Sequence, residues 1–199
     1  NNGLTVTSGL AVGIDAHSHE AALDANGNTI AVVGNGLDII YPLRNRQLAE
    51  RIVNHGAIVS EFPIGIPAHP QHFPRRNRII SGMSFGVLVV EAALQSGTLV
   101  TARHAMEQGR EVFAIPGSIH NPLARGCHHL IKQGAKLVET ANDILEEIAP
   151  QLNVWLQQDK ASNLLSEQRH SVTQSEFNFA DTVDPEYAQV LDALGYEPL

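Results

Sequence analysis

The stretch Thr29-Ile30-Ala31-Val32-Val33-Gly34-Asn35-Gly36 decides the fold class. Its first five residues are apolar or β-branched and leave no polar face. A strand made of them must be covered on both sides, as strands of a parallel sheet are. Working outward, similar short runs occur at Leu4–Thr7, Ala57–Ser60, Gly86–Val90, Glu111–Ile115 and Lys136–Val138. Helical patterns are predicted between them, over Asp15–Asn26, Leu43–His55, Pro74–Met83, Thr98–Gln108, Gly126–Gln133 and Thr140–Ile148. Strands alternating with helices predict an α/β fold with a doubly wound, mostly parallel sheet. Gly27, Gly56, Gly109 and Gly134 stand where helices are expected to stop.

The 199 residues suffice for one ordinary domain and part of a second. With 43% hydrophobic and 17% charged residues, the chain is neither wholly disordered nor a collagen-like fibre or coiled coil. Its longest apolar run, Gly86 to Ala93, is broken by Glu91 and is too short for a membrane helix. The single cysteine, Cys127, rules out an internal disulfide framework and suits a reducing, cytoplasmic compartment. The chain opens on Asn1 with no charged-then-apolar leader, so it reads as beginning inside a domain. Residues 150–183 are rich in Gln, Asn and Ser and are expected to be a linker. Asp184-Pro185-Glu186 then has the form of a helix start, with an N-cap, Pro at N1 and an acid in the first turn. Residues 184–199 therefore read as the opening of a second, small helical domain.

The net charge of −8 is uneven along the chain. Residues 1–149 carry a balance of −2, and residues 150–199 carry −6. Within the first part no Asp or Glu occurs from Phe62 to Val90, where Arg75, Arg76 and Arg78 all lie. Overall acidity does not exclude a polyanionic partner when cations cluster locally.

Ligands of an open parallel sheet bind outside the carboxyl ends of its strands. The residues there are Ser8-Gly9, Gly34-Asn35-Gly36, Ser60-Glu61, Glu91 with Ser96-Gly97-Thr98, and Pro116-Gly117-Ser118. Glycines and hydroxyls at helix N-termini suit an anion, although any one such turn is equally an ordinary exit from a strand. There is no G-x-G-x-x-G, no acid at the ribose position and no G-x-x-x-x-G-K-[ST], so no nucleotide cofactor is indicated.

The sharpest segment is His69-Pro70-Gln71-His72-Phe73-Pro74-Arg75-Arg76-Asn77-Arg78-Ile79-Ile80. Arg75 and Arg78, three apart, share a helical face, and Ile79 and Ile80 suit packing on the sheet. Three guanidiniums at a helix start are unfavourable without an anion. A ring beside them, Phe73, is the pairing that single-stranded nucleic acid uses. The opposing reading has the arginines neutralised by Glu61, Glu91 and Glu107, with Phe73 in the core. Glu61 and Glu91 each follow a strand; they are either a carboxylate pair for hydrolysis or partners that orient Arg76 and Arg78, and the second is preferred. The ten histidines lack i, i+4 spacing in the pairs His17/His19 and His128/His129. They read as solvated or capping groups, and no metal site is expected. Ser8, Ser96 and Cys127 lack a nucleophile elbow.

Four motifs occur in order and spacing: Ser8-Gly9-Leu10-Ala11 with Gly13-Ile14-Asp15; Phe73 through Gly82; Glu91-Ala92 with Ser96 through Ala102; and Val112 through Gly117. Over residues 3–148 the chain resembles the DNA-processing protein A family, also called Smf. The resemblance implies an extended Rossmann-like fold that binds single-stranded DNA without cleaving it. It also implies a homodimer, protection of incoming DNA and loading of RecA recombinase in natural transformation, with a winged-helix-like C-terminal domain opening at Asp184. The DNA-binding residues it implies are Ser8, Gly9, Phe73, Arg75, Arg76, Asn77, Arg78, Ser96, Gly97, Thr98, Gly126 and His128. Arg76 and Arg78 would hold phosphates, with Arg75 nearer the rim, and Phe73 would stack a base. No membrane partner and no catalytic residue are implied. The chain departs from the family in three places. The strand and Gly-Ser/Thr-Arg loop that usually open the fold would precede Asn1. Val12 stands where Lys or Arg is common, and Gly126-Cys127-His128 replaces Gly-Thr-Asn.

An enzyme is the alternative. Arginines before a strand and Glu91 with Ser96-Gly97-Thr98 after it are similar to nucleoside-monophosphate phosphoribohydrolases of the lysine decarboxylase-like group. Those proteins carry paired glycines at the strand end, where this chain has Ala92-Ala93.

Overall fold

A computed structural model describes residues 3–172, with side chains described as far as Gln157. The chain divides into two units, Asn1–Gln151 and Leu152–Leu199. The first unit contains β1 (Val6–Ser8), α1 (Ile14–Asp24), β2 (Thr29–Val33), α2 (Arg46–His55), β3 (Gly56–Ser60) and α3 (His72–Gly82). It continues through β4 (Gly86–Val89), α4 (Thr98–Glu107), β5 (Glu111–Ala114), α5 (Arg125–Lys132) and β6 (Lys136–Leu137). Helix α6 runs Ala141–Val172. Among the described residues no helix is long and apolar enough to cross a membrane.

All strand pairs are parallel. They form two three-stranded sheets, in the orders β1-β2-β3 and β4-β5-β6. Val6 pairs with Thr29 and Thr29 with Gly56 in the first sheet; Gly86 pairs with Glu111 and Phe113 with Lys136 in the second. The central strands β2 and β5 are almost wholly buried, as their unbroken apolar runs require. The outer strands β3 and β6 are more exposed. One core lies between β2 and helices α1 and α2, with Ala31, Leu48 and Ile52 at its centre. The other lies between β4, β5 and helices α4 and α5, around Val89, Ala102 and Val112. Ile52 and Val89 are fully buried, and burial of a side chain of that size contributes about 1.5–3 kcal/mol.

Helix α3 packs on both α4 and β2, so it spans the two sheets. Its C-terminal end is fixed by Gln108, whose Oε1 accepts from Ser81 Oγ at 2.7 Å and whose Nε2 donates to Arg78 O at 3.0 Å. Gly109 and Gly134 follow α4 and α5 with φ of 66° and 103°, the left-handed turn that glycine makes without strain. After α1 that turn falls on Asn26 instead, with φ 53°. Gly56 is extended and is glycine for another reason: a Cβ there would run into the carbonyl of Thr29.

The reading of residues 150–183 as linker needs correction where the structure describes them. Helix α6 passes through Pro150 and continues to Val172. A proline inside a helix costs about 3 kcal/mol, but Leu, Gln, Glu, Lys and Ala in the following turns are strong helix formers. A bias toward polar residues is not a bias against helix. The helix start expected at Asp184 lies outside the described residues.

Candidate nucleic-acid interface

The carboxyl ends of β1 and β2 meet the start of α3, and the sequence accounts for the junction. The turn after β1 is held from three sides. Asp15, in the first turn of α1, accepts from the N–H of Gly9 at 3.1 Å and of Ala11 at 3.2 Å. Asn45, just before α2, donates from Nδ2 to Leu10 O at 2.9 Å and Ala11 O at 3.3 Å. Arg76 donates from Nη1 to Gly9 O at 2.7 Å and also to Val32 O. Leu10 has φ 60°, a conformation that costs a non-glycine residue about 1–2 kcal/mol. Its buried side chain and the bonds to the neighbouring backbone hold it there.

From the sequence Arg76 is expected to be open to a phosphate; the structure places its guanidinium inside the fold, bonded to backbone carbonyls. Arg76 is 5% exposed, and its Nε donates to Asn77 Oδ1 at 3.1 Å. Burial lowers its pKa from the usual value, and nearby Asp15 opposes the shift. Gly9 is glycine because a Cβ would overlap the Arg76 guanidinium. Its N–H and carbonyl are both used inside the fold, so the N–H donation to a ligand expected of Gly9 is not available. Asn77 is half-buried and serves Arg76.

The other two arginines stand outside. Arg75 and Arg78 are exposed and share one carboxylate, Glu61 at the end of β3. Arg78 Nη2 lies 2.5 Å from Glu61 Oε2, and Arg75 Nε lies 3.5 Å from Oε1. Of the acids expected to orient Arg76 and Arg78, Glu61 takes Arg75 and Arg78. Carbonyls and Asn77 hold Arg76, and Glu91 pairs with no arginine among the described residues. Two guanidiniums on one carboxylate leave an excess positive charge at the rim.

Phe73 is half-buried rather than open. Gly34 lies beneath it, the Arg76 guanidinium carbon is 5.9 Å from its ring centre, and Tyr41 stacks on it at 5.8 Å and 21°. Its neighbour His72 places Nδ1 2.9 Å from Gly34 O and stacks on Phe62 at 4.3 Å. Ser8 is half-buried at the end of β1.

The second sheet supplies the remaining expected residues. Ser96 Oγ accepts from Thr98 N–H at 3.2 Å and donates to Thr98 Oγ1 at 3.0 Å, closing the turn before α4, with exposed Gly97 between them. Ser96 and Glu91 line a cleft of about 700 Å³ with Ile14 and His17 of α1. The turn after β4 thus faces the start of the helix that the Gly9 loop feeds. Gly126 and His128 are committed elsewhere. Gly126 N–H donates to Ala92 O at 2.7 Å, and His128 Nε2 lies 2.9 Å from Gly117 O. Both brace the loops after β4 and β5 from behind.

Sequence reasoning missed Asp15, Asn45, Tyr41 and His19. An acid six residues after Gly9 was a local signal for Asp15; Asn45 and Tyr41 come from a distant loop and had none. His19 is neither solvated nor a cap. It is fully buried, with Nδ1 2.6 Å from Thr29 Oγ1, which donates onward to Val6 O. Thr29 thus accepts from Nδ1–H, and Nε2 is left without a partner. Burial, assisted by Arg76 and opposed by Asp15, lowers its pKa to about 4. Among the described residues no group of His, Cys, Asp and Glu could hold a metal ion.

Parallel sheets with flanking helices, and loops gathered on their carboxyl edges, define a Rossmann-like α/β protein. Solved structures share this fold. DNA processing protein A from Streptococcus pneumoniae matches with a TM-score of 0.68 and 51% identity over 72% of this chain and 51% of its own. The Helicobacter pylori protein, described for its single-stranded DNA binding mode, matches with a TM-score of 0.68 and 28% identity over 75% of this chain and 68% of its own. The chain belongs to the DNA recombination-mediator protein A family, whose profile matches residues 1–149. Protein Smf of Escherichia coli is 60% identical over 77% of this chain, and DprA of Streptococcus pneumoniae is 53% identical over 73%. The chain spans 41% and 52% of the lengths of these two relatives.

Proposed function

We propose that this chain binds single-stranded DNA along the carboxyl edge of its sheets, without cleaving it. We further propose that it acts as a cytoplasmic homodimer, protecting incoming DNA and helping to load RecA recombinase during natural transformation. The observation that carries the binding is the exposed pair Arg75 and Arg78 over a single carboxylate. It lies in a segment free of acids from Phe62 to Val90, in a family with a member described as binding single-stranded DNA. In this reading the two guanidiniums take phosphates, while the Ser8 hydroxyl and the Ser96-Gly97-Thr98 turn meet the backbone further along. Arg76, Asn77 and Asp15 hold the loop in shape. Contacts of this kind read phosphate rather than base edges, so sequence preference is weak.

Salt-titrated fluorescence anisotropy with oligothymidylate tests the binding. Single strands are expected to bind more tightly than duplex, with log affinity falling linearly in log salt. Equal binding to duplex, or no salt dependence, overturns the reading. The cleft holding Glu91 bears on the enzyme alternative. Incubation with nucleoside monophosphates is expected to release no free base. Release that disappears in Glu91→Gln would replace DNA binding with hydrolysis.

A further inference from the structure

We propose that the loop between β2 and α2 is a second contact element for the strand, in which Tyr41 stacks a base and Arg44 meets the adjoining phosphate. This rests on the single-stranded DNA reading and moves the stacking role from Phe73 to its neighbour.

The argument begins with what Phe73 can offer. Phe73 is half-buried, with Gly34 against it, the Arg76 guanidinium carbon 5.9 Å from its centre and Tyr41 stacked alongside at 5.8 Å. Much of its surface is therefore already occupied. Tyr41 itself is 48% exposed. Its ring meets Phe73 at an interplanar angle of 21°, and about half of the residue is left exposed for a further stacking partner. A base laid there would extend an existing stack, and the ring beneath would hold the tyrosine flat. Aromatic platforms that carry bases work in this way because every base has a π-face.

The loop is also anchored to the rest of the site. Asn45 fixes its end to Leu10 and Ala11 in the turn after β1. Asp38 Oδ1 accepts from Gly65 N–H at 2.9 Å, tying its beginning to the segment that leads into α3. Tyr41 is thus carried on a loop bound to both neighbours of the arginine rim. Arg44, three residues on, is exposed in the short 3₁₀ turn Leu43–Asn45 and has no ion-pair partner among the described residues. Arg46 differs, being 3.3 Å from Glu50. One loop thus carries an exposed ring and, three positions on, a guanidinium with no ion pair among the described residues, the two kinds of group that a base and its phosphate require.

Two probes separate stacking from charge: oligothymidylate and an abasic strand of the same length. Tyr41→Leu is expected to weaken oligothymidylate binding about fivefold or more, the lower end of base–aromatic stacking. It should leave abasic binding within about twofold, and Tyr41→Phe should bind both probes as the parent does. Arg44→Gln is expected to weaken both probes and to flatten the salt slope by about 0.7. Equal loss on both probes for Tyr41→Leu, or no loss, overturns the proposal. Should Tyr41→Leu melt early, photocrosslinking of the parent chain to iodouracil-substituted oligonucleotide decides. A crosslink at Tyr41 supports the proposal, and crosslinks confined to other residues overturn it. If the parent chain fails to bind oligothymidylate at all, the DNA reading itself falls; if it binds and only these variants disagree, the loss is confined to this loop.

Discussion

Replacing Arg76 by Met separates the three arginines that the sequence presents as one cluster. The structure makes Arg76 a strut and Arg75 and Arg78 the exposed cations. Arg76→Met keeps most of the stem and removes every donor. The carbonyls of Gly9 and Val32 then lose their shared partner in a buried site. Each stranded acceptor costs about 1–3 kcal/mol, so the variant is expected to lose about 2–6 kcal/mol of stability. At roughly 2–4 °C per kcal/mol for a unit of this size, its melting temperature falls on the order of 10 °C. Its salt slope on oligothymidylate, measured well below the transition, stays that of the parent. The double variant Arg75→Ala, Arg78→Ala should differ in its salt response. Its slope flattens by up to about 1.4, at about 0.7 per phosphate lost, and its melting temperature also falls, because Glu61, 16% exposed, loses both of its guanidinium partners. Thermal denaturation and anisotropy on the same preparations read both quantities. An Arg76→Met protein with parental melting and a flattened slope would refute the division.

Three further outcomes follow from the same geometry. Glu61→Gln removes the one carboxylate that faces Arg75 and Arg78 among the described residues, so DNA affinity at low salt should rise about two- to fivefold, as for one like charge removed near the strand in a high dielectric; weaker binding would show that Glu61 is needed to place the arginines. Gly9→Ala drives a Cβ into the Arg76 guanidinium, so it should lower the melting temperature, and combined with Arg76→Met it should cost less than the two singles together; strict additivity in thermal melts would contradict the contact. His19 stays neutral in the folded protein down to about pH 4, whereas in the unfolded chain it takes a proton near 6.5. The unfolded state therefore binds more protons in that window, and stability falls as pH drops from about 6.5 to 4, by up to about 3 kcal/mol. Urea unfolding of His19→Asn, which keeps a donor for Thr29 but cannot titrate, should show a shallower loss; an unchanged pH slope would remove His19 as the cause.

The fold was legible because its signals are local. Unbroken apolar runs place every strand within two residues of its observed bounds, and Gly109 and Gly134 mark two helix ends. The edge loops were legible too, since the ends of strands fix where they lie. What composition could not show was whether Gln- and Ser-rich residues after Pro150 continue a helix. That depends on a balance between one proline and many good helix formers, and α6 shows the second winning as far as Val172. The loop bearing Tyr41 and Asn45 was illegible for another reason. Its role depends on which distant turn it touches, and Asn45 meets Leu10 across 35 positions.

The orientation of Arg76, by contrast, was present in the sequence as helical geometry. Residues three and four apart lie on one face of a helix. Arg75 and Arg78 are such a pair, and by the same spacing Arg76 shares its face with Ile79 and Ile80. If the isoleucines face the protein, Arg76 must face it with them, and a guanidinium on that face needs acceptors. The end of a parallel pair supplies them: the β1–β2 ladder stops at Ser8 and Ala31, and Arg76 takes the next carbonyls, those of Gly9 and Val32. The burial pattern follows the arithmetic, with Arg76 buried, Ile79 and Ile80 half-buried, and Arg75 and Arg78 exposed. A run of basic residues entering a helix is thus two populations set by a 100° step. One is spent on closing the sheet edge, and only the other remains for a polyanion.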